Sequence, residues 1–426
     1  MHAGKDARPQ LGFSTVCLSA AVALAGVCGC STRGSPDLTS DVPPPPALKV
    51  RDIRVVIASG SGPLRFRAGA PYAVRDDHGQ TLEHGTDPGW VNISGSDRLS
   101  LGKRSFRPHR LHLVPEAGTT FELASYANGR WSAPRRYAGT LTLLRRSDKV
   151  LLAINEVDLD TYVAGVLCHE LYPEFHREAF RAQAVAARTY ALYQMSLRAG
   201  QDYDVTNTQL SQVYGGLAKG RAAGRAVEAA NYTRGIVCTW TSPAGQRIFC
   251  TYYCSACGGR TQSAADFLGK PTVPPLAGGV RCDYCRIARG DVYRWGPVNV
   301  DRAELNARLK VRYPGLMKKL GAVQRVEVLA RTDTDRIARV RLTGPDGKLV
   351  DMLGERFRLV VGSQTMRSTA CYLDDAGDRL MIFDGRGFGH GVGLCQWGAH
   401  GQALQGRTAA QILKFYYPGA NLTKAY

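Results

Sequence analysis

The sequence predicts an α+β protein, with a β-rich N-terminal region leading into a mixed α+β core organised around one long helix. Three observations predict it. Between residues 50 and 136 the apolar residues come in short runs, Ile53–Ile57, Leu111–Val114 and Phe121–Leu123, with Phe106 alone. Gly, Pro, Asp and Asn separate them. Leu151–Val157 then reads as a strand ending in an acidic turn. After it an Ala-rich stretch runs from Glu178 to Leu197, with Pro173 upstream as a start signal.

With 426 residues the chain has room for two or three domains and a sizeable core. An apolar content of 44% with 21% charged residues marks it as globular rather than disordered. The net charge of +19 favours anionic partners such as acidic wall polymers or an anionic membrane. The charge is mostly Arg spread along the chain. No C2H2 finger, RNP-like run or dense Lys/Arg block accompanies it, which argues against nucleic acid as a partner.

The N-terminus sets the expected compartment. Lys5 and Arg8 precede an apolar run from Val16 to Val27, too short to span a membrane and suited to a signal peptide over residues 1–29. It ends in Val27-Cys28-Gly29-Cys30-Ser31, which resembles a bacterial lipoprotein cleavage box with Cys30 as the lipidated residue. The expected mature body faces outside the cytoplasm and is tethered to a membrane through that lipid. Residues 30–49 form a linker, and Pro43 to Pro46 give it extended geometry that spans roughly 40–50 Å. Residues 50–136 are expected as an accessory β-rich domain, and residues 137–426 as the functional domain, with an insertion lobe near 300–350.

Within the functional domain, Asp158 and Asp160 suit the start of a short helix holding Tyr162, Val163 and Val166. Glu170 is expected on a Pro-broken loop between this helix and the long one. Rigid flanks around a loop carboxyl suit a catalytic acid. The Ser211-Gln-Val-Tyr-Gly-Gly216 turn offers Tyr214 for stacking on a sugar. A helix over Gly224–Thr233 leads into a hairpin, Ile236–Trp240 with Ile248–Tyr253, that sets Cys238 opposite Cys250 as a disulfide or as packed thiols.

Two CxxC pairs follow, Cys254/Cys257 and Cys282/Cys285, separated by 24 residues. The spacing suits a closed four-thiolate zinc shell, hence a structural metal; disulfides bridging the two pairs are the rival. Asp301-Arg-Ala-Glu304 reads as an Asp variant of the capping box, opening a helix to about Arg312. Strands Val326–Leu329 and Ile337–Leu342, a Pro345-Asp-Gly347 turn and a short helix over Glu355–Val361 complete the lobe.

Near the C-terminus six glycines lie between Gly385 and Gly398. Each would cost about 0.5–1 kcal/mol relative to Ala inside regular structure, so the segment reads as open backbone against a substrate. It presents His390 and Gln396. A zinc-protease reading of His169-Glu170 fails because Pro173 stands where the second His is required. A Cys168–His169 nucleophile pair fails because adjacent residues rarely face one substrate. A phosphate-cradling Walker motif is absent.

Three stretches carry a resemblance to a known family. They are Tyr162-Val-Ala-Gly165-Val with Glu170, Ala182-Gln183-Ala-Val-Ala-Ala-Arg188-Thr-Tyr190-Ala, and Gly385-Arg-Gly-Phe-Gly-His390-Gly-Val-Gly-Leu-Cys-Gln396-Trp-Gly-Ala with Tyr416-Tyr-Pro-Gly419. Together they resemble the stage II sporulation protein D / amidase enhancer (SpoIID/LytB) family, over roughly residues 137–422. The resemblance implies action on bacterial peptidoglycan, either as a lytic transglycosylase cutting glycan strands or as a wall-binding enhancer of an N-acetylmuramoyl-L-alanine amidase. It implies Glu170 as the single acid and base. Gln183 and Arg188 brace the cleft or contact the sugar, and Tyr214, His390 and Gln396 line the substrate groove. One departure stands out. Leu171 and Tyr172 both separate Glu170 from Pro173, where the family has a single residue.

Overall fold

The computed structural model describes residues 52–426, except 87, 88, 96 and 147–149. The expected signal peptide, Cys30 and the Pro-rich linker lie outside the described residues. The structure is α+β, as its sequence predicts, with nine α-helices among the described residues.

Two β-sheets form the N-terminal part. The first is ordered Val205–Thr206, Ile53–Gly60, Leu151–Val157, Thr140–Arg145, Arg110–Pro115, Tyr72–Arg75, Thr81–Gly85. Its pairs are antiparallel except the first, where Val55 and Val56 run parallel to Val205 and Thr206. The second sheet is ordered Arg130–Trp131, Thr120–Ala127, Leu64–Ala68, Val91–Ser94, Leu99–Leu101, Arg104–Phe106, and Arg135–Ala138 also pairs with Thr120–Ala127. Alternation drives the packing, because side chains along a strand point to opposite faces. Leu64, Phe66 and Ala68 turn inward while Arg65 and Arg67 turn outward. The inward aromatic residues meet: Phe66 lies edge-on 5.0 Å from Tyr72 of the first sheet and 5.7 Å from Phe121 on the neighbouring strand of its own sheet. Strands on both sides of residue 136 share the first sheet, and one hydrophobic core runs from them into the helices.

Helix α1 (Leu159–Glu170) follows the strand Leu151–Val157 directly. Asp158 caps it, accepting the amides of Asp160 at 3.1 Å and Thr161 at 2.9 Å. Glu170 is the last residue of α1, not a loop residue, so the helix itself fixes its backbone. Helix α2 (Arg177–Leu197) starts from His176, whose ring accepts the Glu178 amide. Its alanines at 179, 182, 184, 186, 187 and 191 are buried. Small side chains let other helices pack around it: α1, α3 (Ala223–Tyr232), α8 (Gln396–Leu404) and α9 (Ala409–Tyr416).

The hairpin Ile236–Ser242/Gly245–Ile248 pairs Thr239 with Ile248, so Cys250 falls beyond the strand and does not oppose Cys238. Both are buried free thiols, as are Cys371 and the cysteines of the two CxxC pairs. Past the short helix α4 (Ala264–Leu268) a second hydrophobic core builds a lobe. It gathers Trp295, Val300, Leu305, Val326, Val340, Phe357 and Ile382, a span wider than residues 300–350. The lobe holds two three-stranded sheets with α5 (Arg302–Arg312), α6 (Pro314–Leu320) and α7 (Gly354–Val361). Asp301 precedes α5 but makes no side-chain cap bond, and Glu304 pairs with Arg308 instead. A complete capping box occurs at α9, between Thr408 and Gln411. The lobe is anchored by Arg336, wholly buried, which donates to the Cys257 carbonyl at 2.5 Å. Gly391 (φ +77°) lies flat on that guanidinium; a Cβ there would come within 2.4 Å of it.

Candidate active site and thiolate cluster

The Glu170 carboxyl is held by three separate segments. One oxygen accepts the Val213 amide at 3.0 Å and faces the Tyr253 hydroxyl at 3.5 Å; the other faces the Gln396 side-chain amide at 3.4 Å. Tyr253 is itself held from behind. Gln212 donates to its oxygen at 3.0 Å and accepts from the buried Tyr162 hydroxyl at 3.1 Å. Burial pushes the Glu170 carboxyl above its ordinary range, and the three hydrogen bonds only partly offset this. The residue nonetheless keeps an edge open to solvent. The groups acting on the carboxyl are an amide N–H, a carboxamide and a phenol, with no carboxylate among them.

His390 joins this set through Tyr253. Its Nδ1 accepts the Val392 amide at 3.0 Å, and the ring also bonds the Tyr253 backbone. Burial, with Arg358 and Arg336 nearby, pulls the imidazole down to about 3. His390 is therefore neutral and cannot exchange protons near neutral pH. Its ring packs against Phe267 at 5.0 Å and Tyr252 at 5.8 Å, all three half-buried.

Tyr214, Arg188 and Gln183 lie elsewhere. Tyr214 is 0% exposed, its hydroxyl donating to Asn155 at 3.0 Å. This corrects its place in the groove: the aromatic ring ahead of Gly215 and Gly216 packs on Tyr162 at 4.9 Å and belongs to the core. Arg188 is also 0% exposed and pairs with Asp160 at 2.6 Å, tying α2 to α1 rather than lining a cleft. Gln183 is buried in α2, and neither of its amide atoms has a hydrogen-bond partner among the described residues. Tyr172, the extra residue after Glu170, is exposed and packs on Trp397 at 5.3 Å and Phe175 at 5.5 Å.

A thiolate cluster lies next to Gln396. The sulfurs of Cys257, Cys282, Cys285 and Cys395 are all buried and within 4.8 Å of one another. A tetrahedral ion with metal–sulfur bonds near 2.3 Å sets its sulfurs about 3.8 Å apart. Cys257 and Cys285 stand 3.7 Å apart. This corrects the expected ligand set, since Cys254 is replaced by Cys395. Tyr253–Cys254 and Leu394–Cys395 are parallel two-residue strands that set Cys254 beside Cys395. Cys395 turns to the cluster and accepts the Cys257 and Gly398 amides at 3.2 and 3.3 Å, whereas the Cys254 thiol takes the Gly391 amide. A Cβ on Gly398 would come within 2.0 Å of the Tyr416 hydroxyl and 2.7 Å of the Cys282 sulfur, so only glycine lets α8 sit there. The four buried cysteines can hold a metal ion.

A family model described as stage II sporulation protein matches residues 147–240. A second, described as a domain of unknown function, matches residues 286–393, most of the lobe. An uncharacterised protein of Brachyspira hyodysenteriae is 32% identical over 289 residues, covering 67% of this chain and 72% of its own length. The stage II sporulation protein D of Bacillus subtilis is 26% identical, covering 64% and 76%. The chain belongs to the SpoIID/LytB family. The amidase enhancer of Bacillus subtilis is a more distant member at 23% identity, and the match covers 61% of this chain and 40% of that protein.

Of the residues that the SpoIID/LytB motifs single out, the structure sets Gln396 3.4 Å from Glu170, and His390 bonds the backbone of Tyr253, whose hydroxyl faces Glu170. Sequence reasoning missed Tyr253, Gln212 and Cys395. Tyr253 directly precedes Cys254 of the first CxxC pair, and Cys395 directly precedes Gln396. A residue beside a recognised one was the available signal in both cases.

Proposed function

We propose that this SpoIID/LytB protein is a lytic transglycosylase of peptidoglycan, working outside the cytoplasm, with Glu170 as its one acid and base. Family membership supports a peptidoglycan-related role. No helix among the described residues is long and apolar enough to cross a membrane. The observation that carries the finer reading is the Glu170 carboxyl itself: raised by burial, held on both oxygens, and without a carboxylate partner among the described residues.

In this reading Glu170 starts protonated and donates to the glycosidic oxygen as the C–O bond breaks. The carboxylate left behind takes the proton of the muramic C6 hydroxyl. That oxygen then bonds to the anomeric carbon and closes a 1,6-anhydro ring. No water is consumed, and the proton returns Glu170 to its starting state. A hydrolase would call for a second carboxylate at a set distance. Tyr253 and Gln396 hold the carboxyl in line and stabilise its ionised form between the two transfers. Tyr252, Phe267 and His390 give apolar faces on which pyranose rings rest.

The four cysteines are proposed to bind structural zinc. A closed, buried shell of four soft thiolates matches zinc and leaves no open position for catalysis. The ion would fix Cys395 and, through the first turn of α8, the adjacent Gln396.

The test is digestion of glycan strands stripped of peptides, followed by mass spectrometry. Anhydro-muramic ends from the wild type and none from Glu170→Gln support the reading. The similarity to an amidase enhancer keeps one rival: no product from either protein on these strands, with faster release of peptides from intact peptidoglycan by an added amidase, would assign the chain an enhancer role.

A further inference from the structure

The outer face of the second sheet carries a row of side chains that the fold does not require. Strand alternation points Arg65 and Arg67 to solvent, opposite the buried Phe66. The Arg65 guanidinium lies between two indoles, 4.5 Å from Trp90 and 4.6 Å from Trp131. Arg67 lies over the same Trp90 at 4.8 Å, and Tyr126 meets Trp131 edge-on at 5.3 Å. Both indoles are half-exposed and neither joins the hydrophobic core. An antiparallel sheet face toward water ordinarily carries small polar groups, so two of the chain's five tryptophans there are out of place.

The electrostatics point the same way. Arg67 and Arg136 share one carboxylate, Glu122, and Arg65 has no carboxylate partner among the described residues. Arg67, Arg136, Thr86 and Thr120 also line an adjoining cleft of about 450 Å³. Stacked between rings, a guanidinium is held rigid and still presents its N–H edge, the geometry that binds carboxylate or phosphate in pairs of hydrogen bonds. Flat indole faces beside it suit the C–H faces of sugars.

We propose that this face is a second binding surface, separate from the Glu170 groove, for an anionic wall polysaccharide. The aromatic row takes the sugar faces, and Arg65, Arg67 and Arg136 take the muramic carboxylates of glycan stretches that have lost their peptides. Strands lie about 4.8 Å apart, so a row crossing four of them spans on the order of 15 Å, enough for several sugar units. The surface would hold the protein on insoluble wall while the groove works on a strand within reach.

The test is co-sedimentation of the full soluble body with purified cell-wall sacculi, in the Glu170→Gln background so that the wall stays intact. One arm uses untreated walls; the other uses walls stripped of covalent phosphate polymers and partly freed of stem peptides by an amidase, so that muramic carboxylates are exposed while the wall stays insoluble. Trp90→Ala/Trp131→Ala is expected to raise the apparent Kd about tenfold. Trp131→Ala alone, in a two-residue edge strand outside the core, is expected to raise it about threefold. A loss on the peptide-depleted walls assigns muramic carboxylate as the ligand, and a loss confined to untreated walls assigns the phosphate polymer instead and overturns the proposal. In the Glu170-containing protein the same substitutions leave cleavage of short soluble glycan oligomers unchanged, which separates this surface from the groove and shows that the chain folds. Wall binding by Trp131→Ala and the double variant within twofold of the parent, in both arms, overturns the proposal and leaves the row as surface packing.

Discussion

Glu170 concentrates the chemistry. Its carboxyl titrates above the ordinary range because burial disfavours its charge. The folded chain therefore holds a proton there at pH values where the unfolded chain has lost it. The linked stability is present below the ordinary carboxyl range and falls as pH rises toward the raised value. Glu170→Gln cannot ionise, so its Tm is expected to exceed that of the wild type at pH 8, with the gap closing at pH 4; thermal melts across that range check it. Activity in the same variant is expected to fall roughly 10²–10⁴-fold. Tyr253→Phe removes a bond that favours the charged carboxyl, so the alkaline limb of the pH–rate profile is expected to move upward, with a modest loss of kcat. His390, held near 3, contributes no limb of its own near neutrality. Glu170 could be read from sequence because its motif is local. The hydroxyl of Tyr253 could not, because nothing in the order of residues tells which tyrosine of the Tyr252–Tyr253 pair turns to the carboxyl.

Helices α1 and α2 are where sequence and structure agree best and where the roles of side chains diverge most. The caps, the alanine spacing and the preceding strand make both helices legible. The same pattern does not tell a groove side from a core side when a helix is packed all round, as α2 is. Arg188 shows the consequence. A polar residue in a family motif suggested the cleft, yet it spends its charge on Asp160 inside the fold, joined there by Tyr426 at 3.1 Å. Breaking a buried pair from one side costs about 3–5 kcal/mol when the other charge is left alone; Asp160 keeps Arg234 at 3.5 Å, so Arg188→Ala is expected at the low end of that range, about 3 kcal/mol. Denaturant melts should show the loss, and any residual folded protein should retain the pH profile of the wild type. Tyr214 was misplaced for a related reason. A tyrosine flanked by glycine suggests access, but here the neighbouring Gly215 has the His169 ring where a Cβ would stand, and the turn is closed.

Across the whole molecule, the thiolate cluster ties distant parts of the chain together. Cys282 and Cys285 precede the lobe and Cys395 follows it, so one ion would clamp both ends of the insertion and the turn bearing Gln396. The CxxC spacing made three of the four ligands legible. The fourth comes from a strand pairing between residues 254 and 395, which no spacing along the chain encodes. Substitution separates the two sets: Cys395→Ser is expected to lose the metal and Cys254→Ser to keep it, as measured by metal content on protein purified without chelator. Removing the ion is expected to lower Tm and activity together, because Gln396 loses its support. The central claim is that one carboxyl breaks a glycosidic bond without water. Its most direct measurement is digestion of peptide-free glycan strands in ¹⁸O-labelled water, read by mass spectrometry. The account predicts new 1,6-anhydro ends carrying no label; reducing ends bearing one ¹⁸O would contradict it.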